Sequence, residues 1–311
     1  MLAPRAGFSS GFFLLLACAT AAAAVPEVPE APVPEPEGGS PTLVVFVVVD
    51  QLRGDLLDRY ASLFRGGFKR LMEEGLNYPN ALHDHAQTET SPGHATISTG
   101  VFPMRAGIPS NVWREGAGEE VQPVYNVVDP GEALVGVSGL PGASPKVLRR
   151  TGLADWVREA DPDARVVSVS GKDRAAVLMA GQGGGEVYWY DSRVGRFVTS
   201  TYYRDNNPGW LGSFNETGLE KLAGDSVWAS TIPPGAGHLS APDTAAFEGN
   251  GVDTYFPHRF RKELSNRDPA DFPFWFETTP MLDRATLEVA LLAMEEGGLG
   301  KQAGRTDFLS I

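Results

Sequence analysis

Cysteine is nearly absent from this sequence: Cys18 stands alone among 311 residues. A single cysteine permits no disulfide within the chain, and its place in an N-terminal leader leaves no thiol for catalysis or zinc binding. Positive charge is also scarce, with 26 Lys and Arg against 39 Asp and Glu and a formal net charge of -13. This balance argues against a general affinity for nucleic acid or anionic lipid, because both want basic patches. A phosphate substrate is not excluded, since a bound metal can dominate the local field whatever the total charge. A long apolar run is missing from the leader too: Phe12 to Ala17 is too short to cross a bilayer, which takes about 20 residues.

That stretch reads instead as an export signal over residues 1–24, with Arg5 as the positive start and Ala22 to Ala24 as a small-residue cleavage region. A periplasmic or secreted protein is expected. Leu15-Leu16-Ala17-Cys18 resembles a bacterial lipoprotein box, so attachment to a membrane is expected only if Cys18 is lipidated. Residues 25–41 are rich in Pro and Glu, cannot bury a core, and read as an extended tether.

From residue 42 the chain is globular in composition, with 42% hydrophobic and 21% charged residues overall. Val44 to Val49 is an apolar, mostly β-branched run, which suits a strand covered on both faces. Asp55 is placed to cap a short helix through Phe64 that Gly66-Gly67 break, and Phe68, Leu71 and Met72 give a second apolar stripe. Pro92 suits the first turn of a helix that Gly100 ends. Helices are predicted over Leu153–Ala160 and from Ala175, strands over Arg165–Ser170 and from Asp307, and a late helix with Leu287, Leu291 and Met294 on its packed face. The alternation predicts an α/β fold: a layered α/β/α sandwich around a mostly parallel sheet. Between about 185 and 275 the pattern loosens; Tyr188-Trp189-Tyr190, Phe197-Val198 and Tyr202-Tyr203 read as short strands of an inserted cap. Its aromatics suit packing within the insert, with stacking of a substrate base as the alternative.

Two features carry chemistry. Asp50 ends the first strand run, where ligands of parallel sheets bind, although a strand-terminating acid needs no ligand. Thr90-Ser91-Pro92-Gly93-His94 places a hydroxyl at a helix N-terminus, which favours an alkoxide or a phosphate; Thr90 or Ser91 could equally be a plain N-cap. Together they sketch metal-assisted phosphoryl transfer, which depends on a positioned nucleophile and fixed positive charge.

In this order, Asp50, Thr90-x-Pro92-x-His94 and Gly107-Ile108-x-x-Asn111 resemble the threonine-nucleophile branch of the alkaline phosphatase superfamily, and Lys172-Asp173-Arg174 resembles the phosphate-binding pair of its bacterial alkaline phosphatases. The resemblance implies roles. Thr90 would attack phosphorus and carry a phospho-threonine intermediate, and Asp50 and Thr90 would ligate zinc. Asn111 would donate to a phosphate oxygen, and Lys172 and Arg174 would grip the phosphate. Taken alone, Asn111 suits turn chemistry and Lys172-Asp173-Arg174 a solvated charged turn. Lys172 and Arg174 are two apart, so on an extended backbone both side chains point the same way.

A cationic pair favours a monoester dianion over a diester monoanion. Phosphomonoester hydrolysis is therefore expected, with a phosphodiesterase or nucleotide pyrophosphatase as the alternative. The resemblance argues against a sulfatase, since those of the superfamily carry a Cys/Ser-x-Pro-x-Arg run where this sequence has Thr90 and His94. His83-Asp84-His85 reads as surface or structural, and His94 as support for its loop. In the resembling family two zinc ions take two further Asp and three His, which would follow the strand ending at Ile311. An incomplete metal site and an exposed sheet edge are therefore expected, or else a non-catalytic phosphate-binding protein acting through Asn111, Lys172 and Arg174.

Overall fold

The computed structural model describes residues 39–224, 227–244, 254–259 and 271–311. The expected leader, its Cys18 and most of the tether lie outside the described residues, as do parts of the expected insert. Contacts divide the chain at Ser40, and the elements below all belong to the body Ser40–Ile311.

Strand β1 (Leu43–Phe46) leads to α1 (Asp55–Arg59), α2 (Gly66–Glu74), α3 (Thr90–Thr99) and α4 (Pro103–Ala106). Two hairpins come next, β2 (Val112–Glu115) with β3 (Gln122–Tyr125), and β4 (Val128–Ala133) with β5 (Pro141–Ala143). Then come α5 (Leu153–Ala160), β6 (Val166–Ser170), α6 (Asp173–Ala180), β7 (Glu186–Asp191) and β8 (Arg196–Val198). Short elements α7 (Gly209–Ser213), α8 (Leu219–Ala223), β9 (Val227–Trp228), β10 (His258–Arg259) and α9 (Phe272–Glu277) precede α10 (Pro280–Glu296) and β11 (Asp307–Ser310).

The central sheet runs β1-β11-β6-β7-β8. Its first four strands are parallel, and β8 pairs antiparallel at the far edge. Side chains alternate across it as the pleat requires. Val187 and Trp189 of β7 face a core shared with Ala95, Ile108 and Val177, whereas Tyr188 and Tyr190 face the core of α10, where Val289 and Ala293 are buried. Helices thus cover both faces of a mostly parallel sheet, the α/β/α layering expected from the alternation.

Several local expectations differ from what is observed. β1 stops at Phe46 and forms an edge, so it is not covered on both faces: Val45, Val47 and Val49 are 49%, 59% and 49% exposed. Pairing persists just past it, where the Val48 N–H donates to Ile311 O at 2.9 Å. Asp55 opens α1 as a helical residue, and Gly66 begins α2 rather than separating two helices. The aromatic run expected to start an insert is a core strand, β7, because its large alternating side chains fill both faces of the sheet at once. Tyr202-Tyr203 forms a turn. On α10 the packed face is Leu282, Ala285, Val289, Ala290 and Ala293, while Leu287 and Leu291 are each 48% exposed. Small alanines let this helix approach β6 closely, so the buried stripe follows size rather than hydrophobicity. Met294 does pack at the margin of that core.

Candidate functional site around the N-terminus of α3

The carboxyl ends of β1 and β6 lie on either side of the end of β11, which pairs with both. Asp50 follows β1 in a tight turn whose next residue, Gln51, has a positive φ of 63°. Left-handed backbone at a non-glycine residue marks a constrained segment. Lys172 follows β6 and precedes α6, with extended backbone at φ -134° and ψ 137°. Thr90 is the first residue of α3, Pro92 occupies its first turn, and Gly100 ends it in the left-handed conformation at φ 67°. Neither Thr90 nor Ser91 is the N-cap; that place is taken by Glu89 without a side-chain cap bond.

These segments meet. The Thr90 hydroxyl donates to Asp50 Oδ2 at 3.0 Å, and Lys172 Nζ donates to the same oxygen at 2.7 Å. Burial alone would raise the Asp50 carboxyl, but the Lys172 hydrogen bond and charge, with the Thr90 hydroxyl, hold it below its ordinary range. His94 is buried and its Nδ1 lies 2.7 Å from the Thr90 carbonyl oxygen, one turn back along the helix. Desolvation depresses its pKa, which favours the neutral imidazole.

Asn111 joins from the other side. Its Oδ1 accepts from the Ser91 N–H at 2.9 Å, and its own N–H donates to Glu89 Oε2 at 2.6 Å. The same Glu89 oxygen accepts from the Ser110 hydroxyl at 2.6 Å. The Asn111 N–H and the Ser110 hydroxyl together hold the Glu89 carboxyl below its usual range. The motif glycine upstream is required by geometry: Gly107 has φ 83°, and a Cβ there would lie 2.8 Å from Val147 O and 2.8 Å from Arg149 Cγ. Ile108 beside it is fully buried and fixes the segment in the core.

Lys172 and Arg174 do not share one extended backbone, as their spacing suggested. Arg174 lies in the first turn of α6, and its Nη1 donates to the Tyr125 hydroxyl at 2.7 Å. Its charge is felt by Glu89 and His94, so it belongs to the same neighbourhood. A cavity of about 370 Å³ opens beside Asp50 and Thr90, with Val48, Val49, Leu52 and Ile97 on its wall. Thr90 and Lys172 are thus each in direct contact with Asp50, Asn111 is tied to Ser91, and Arg174 is bonded to Tyr125. Sequence reasoning missed Glu89, Ser110, Tyr125 and Asn126; Glu89 and Ser110 adjoin motif residues, which was their only signal.

For zinc, Asp50 and Thr90 are suitable oxygen donors, but two groups fall short of the three protein ligands of a catalytic zinc. Among the described residues no group of three His, Cys, Asp or Glu gathers to hold a metal ion. His83 and His85 pack ring against ring at 5.0 Å, and His85 Nδ1 lies 2.8 Å from Gln87 O. The described residues therefore do not by themselves make a zinc site.

A hydroxyl at a helix N-terminus, bonded to a carboxylate that also accepts from a lysine, lies at the carboxyl end of the parallel sheet of an α/β protein. The family model for type I phosphodiesterase / nucleotide pyrophosphatase matches residues 44–286, and the chain belongs to that family. It is 37% identical over 277 residues to alkaline phosphatase PhoV of Synechococcus elongatus, covering 87% of this chain and 49% of that protein. It is 33% identical over 275 residues to alkaline phosphatase PafA of Elizabethkingia meningoseptica, covering 87% of this chain and 50% of the relative. The crystal structure of wild-type PafA superposes with a TM-score of 0.75 at 32% identity, over 88% of this chain and 52% of that one. A variant of PafA changed at one threonine, one asparagine, one lysine and one arginine superposes with a TM-score of 0.77 at 32% identity, over 88% of this chain and 53% of that one. The chain spans about half the length of the curated relatives it matches.

Proposed function

We propose that this chain carries the nucleophile and the phosphate-binding groups of a phosphoric monoester hydrolase of the alkaline phosphatase type. The observation that carries the reading is the bonded series Thr90–Asp50–Lys172 at the N-terminus of α3. Thr90 attacks phosphorus and the ester oxygen departs, leaving a phospho-threonine that water then hydrolyses. A phosphoryl group in transfer spreads negative charge over its oxygens, and the positive end of α3 with Lys172 and Arg174 answers that charge. Asn111 has its Oδ1 committed to Ser91, which leaves its Nδ2 hydrogens to offer to a phosphate oxygen. The relatives named as alkaline phosphatases support the monoester reading. The four residue types changed in the PafA variant are those of Thr90, Asn111, Lys172 and Arg174, in the same chain order.

Zinc belongs to the proposal as the ion that the resemblance implies, with Asp50 and Thr90 as two of its ligands and others still required; its chemistry is to make a hydroxyl nucleophilic near neutral pH. Export belongs to it on the strength of the leader read from residues 1–24. The family description favours a second reading, hydrolysis of phosphodiesters or nucleotide pyrophosphates by the same threonine. An aryl phosphate and the matching diester separate the two when offered with added zinc. Preference for the monoester and its loss in Thr90→Ala are expected, whereas turnover retained by Thr90→Ala would overturn the nucleophile assignment.

A further inference from the structure

Two consecutive residues at the end of the β2–β3 hairpin reach different arms of the site. Tyr125 accepts a hydrogen bond from Arg174 Nη1 at 2.7 Å and donates its own proton to Asp173 Oδ1 at 2.7 Å. The Arg174 guanidinium carbon also sits 6.0 Å from the centroid of the Tyr125 ring. Asn126 is 1% exposed, and its Nδ2 donates to Ser91 Oγ at 2.7 Å and to Asn111 O at 2.6 Å, with Ser110 O at 3.3 Å. It thereby clamps the first turn of α3 to the segment that bears Asn111.

Simple packing does not explain this arrangement. Tyr125 is placed between a carboxylate and a guanidinium so that its hydroxyl is used in both directions, which fixes the rotation of the guanidinium. Burial and the Asp173 charge push its phenol pKa upward, so the donated proton stays in place at any working pH. Asn126 keeps its Oδ1 buried with no partner among the described residues, and Arg174 Nε is in the same state. Buried polar atoms without partners lower stability, so residues that tolerate them are poor candidates for a purely structural part.

We infer that Tyr125 and Asn126 are the positioning residues of the phosphate cradle, Tyr125 aiming Arg174 and Asn126 holding Asn111 against the N-terminus of α3. The inference rests on the proposed phosphate reading for its ligand, but not for its geometry. The two neighbours therefore have separable signatures. Loss of the Tyr125 hydroxyl loosens a cation, which matters most to a dianion. Loss of the Asn126 amide loosens a neutral donor, which serves dianions and monoanions alike.

The test uses the full 311-residue chain labelled with ¹⁵N-arginine, the Arg174 side-chain signals being assigned by their absence in Arg174→Ala. Wild type should show slowly rotating, resolved Arg174 Nη hydrogens, and Tyr125→Phe should collapse them while Asn126→Ala leaves them in place. Titration with inorganic phosphate at pH 8 should weaken about tenfold in Tyr125→Phe, the scale of one charge-assisted hydrogen bond. Dimethyl phosphate should be little affected by that change, whereas Asn126→Ala should weaken both ligands. Tyr125→Phe should have no further effect in an Arg174→Ala background, which a general loosening of the hairpin would not reproduce. Asn126→Ser keeps a donor and tests the same clamp if the alanine variant folds poorly. Freely rotating Arg174 hydrogens in wild type, or signals unchanged by Tyr125→Phe, would overturn the inference. The expected Arg174 response with no phosphate binding in any variant would leave the positioning intact and sink the phosphate reading instead.

Discussion

Asp307→Ala should destabilise the folded body by about 3–5 kcal/mol, the cost of leaving a buried charge without its partner. Asp307 is fully buried at the start of β11, and Arg305 beside it is 7% exposed. One carboxylate oxygen accepts from the Arg165 N–H at 2.9 Å, the other from the Gly300 N–H at 2.9 Å and from Arg305 Nη2 at 2.9 Å. Truncation takes the carboxylate from a buried guanidinium and leaves two backbone donors unpaired, against a total domain stability of about 5–15 kcal/mol. The consequence reaches the site, because β11 lies between the strands that lead to Asp50 and Lys172. Burial alone would raise the Asp307 carboxyl, but Arg305 and the two backbone N–H groups hold it below its ordinary value. A depressed folded pKa gives stability that is complete above the unfolded value near 4 and declines as pH falls through the folded one. Urea unfolding followed by circular dichroism should therefore show a large gap between wild type and Asp307→Ala at pH 7 that narrows below about pH 4. A gap under about 1 kcal/mol, or one unchanged down to pH 3, would refute the argument.

Backbone geometry gives a paired prediction: Gly107→Ala should cost at least about 1–3 kcal/mol for left-handed backbone, on top of its clash with Val147 O, whereas Gly93→Ala, with open space around its Cβ inside α3, should gain about 0.5–1 kcal/mol. Urea midpoints moving the same way in both variants would contradict it. On α10, Leu291→Glu should change stability by less than about 0.5 kcal/mol and Ala290→Leu should lower it by about 1–3 kcal/mol, read by thermal unfolding. The reverse ranking would restore the leucine face as the packed one.

The layered fold was legible because its strongest signals are local. The β-branched run of β6, the Pro and Gly that bound α3, and the helical period of α5 each fix an element without knowledge of its partners. β7 was misplaced for the opposite reason: its parallel pairing with β6 is non-local, and its aromatics resemble a loop-rich insert until both faces are seen to be buried. The packed face of α10 was misread because alanine signals close approach only when the opposing strand is known. The same division holds at the site. Asp50, Thr90, Asn111, Lys172 and Arg174 sit in short motifs with fixed spacing. Tyr125 and Asn126 act across 49 and 35 residues of sequence, on Arg174 and on Ser91, and nothing in their own neighbourhood announces it.

In a chain with a net charge of -13, how the acids near the site are partnered bears on anion binding. Glu89 accepts from Ser110 and Asn111, and Asp173 from Tyr125, neutral donors that occupy these carboxylates without cancelling their charge. Asp50 is tied to Thr90 and Lys172, and there the neutralisation works in both directions, since Lys172 spends its charge on the carboxylate. Asp50→Asn should therefore free Lys172 and strengthen binding of inorganic phosphate to the metal-free chain. The pair is half-exposed, so its release is worth about 0.2–1 kcal/mol, or up to about fivefold in affinity. Phosphate titration in chelator, comparing wild type, Asp50→Asn and Asp50→Asn with Lys172→Met, measures it. A gain in the single variant that the double variant loses supports the charge argument; weaker binding in Asp50→Asn would mean that Asp50 orders the site more than it repels the ligand.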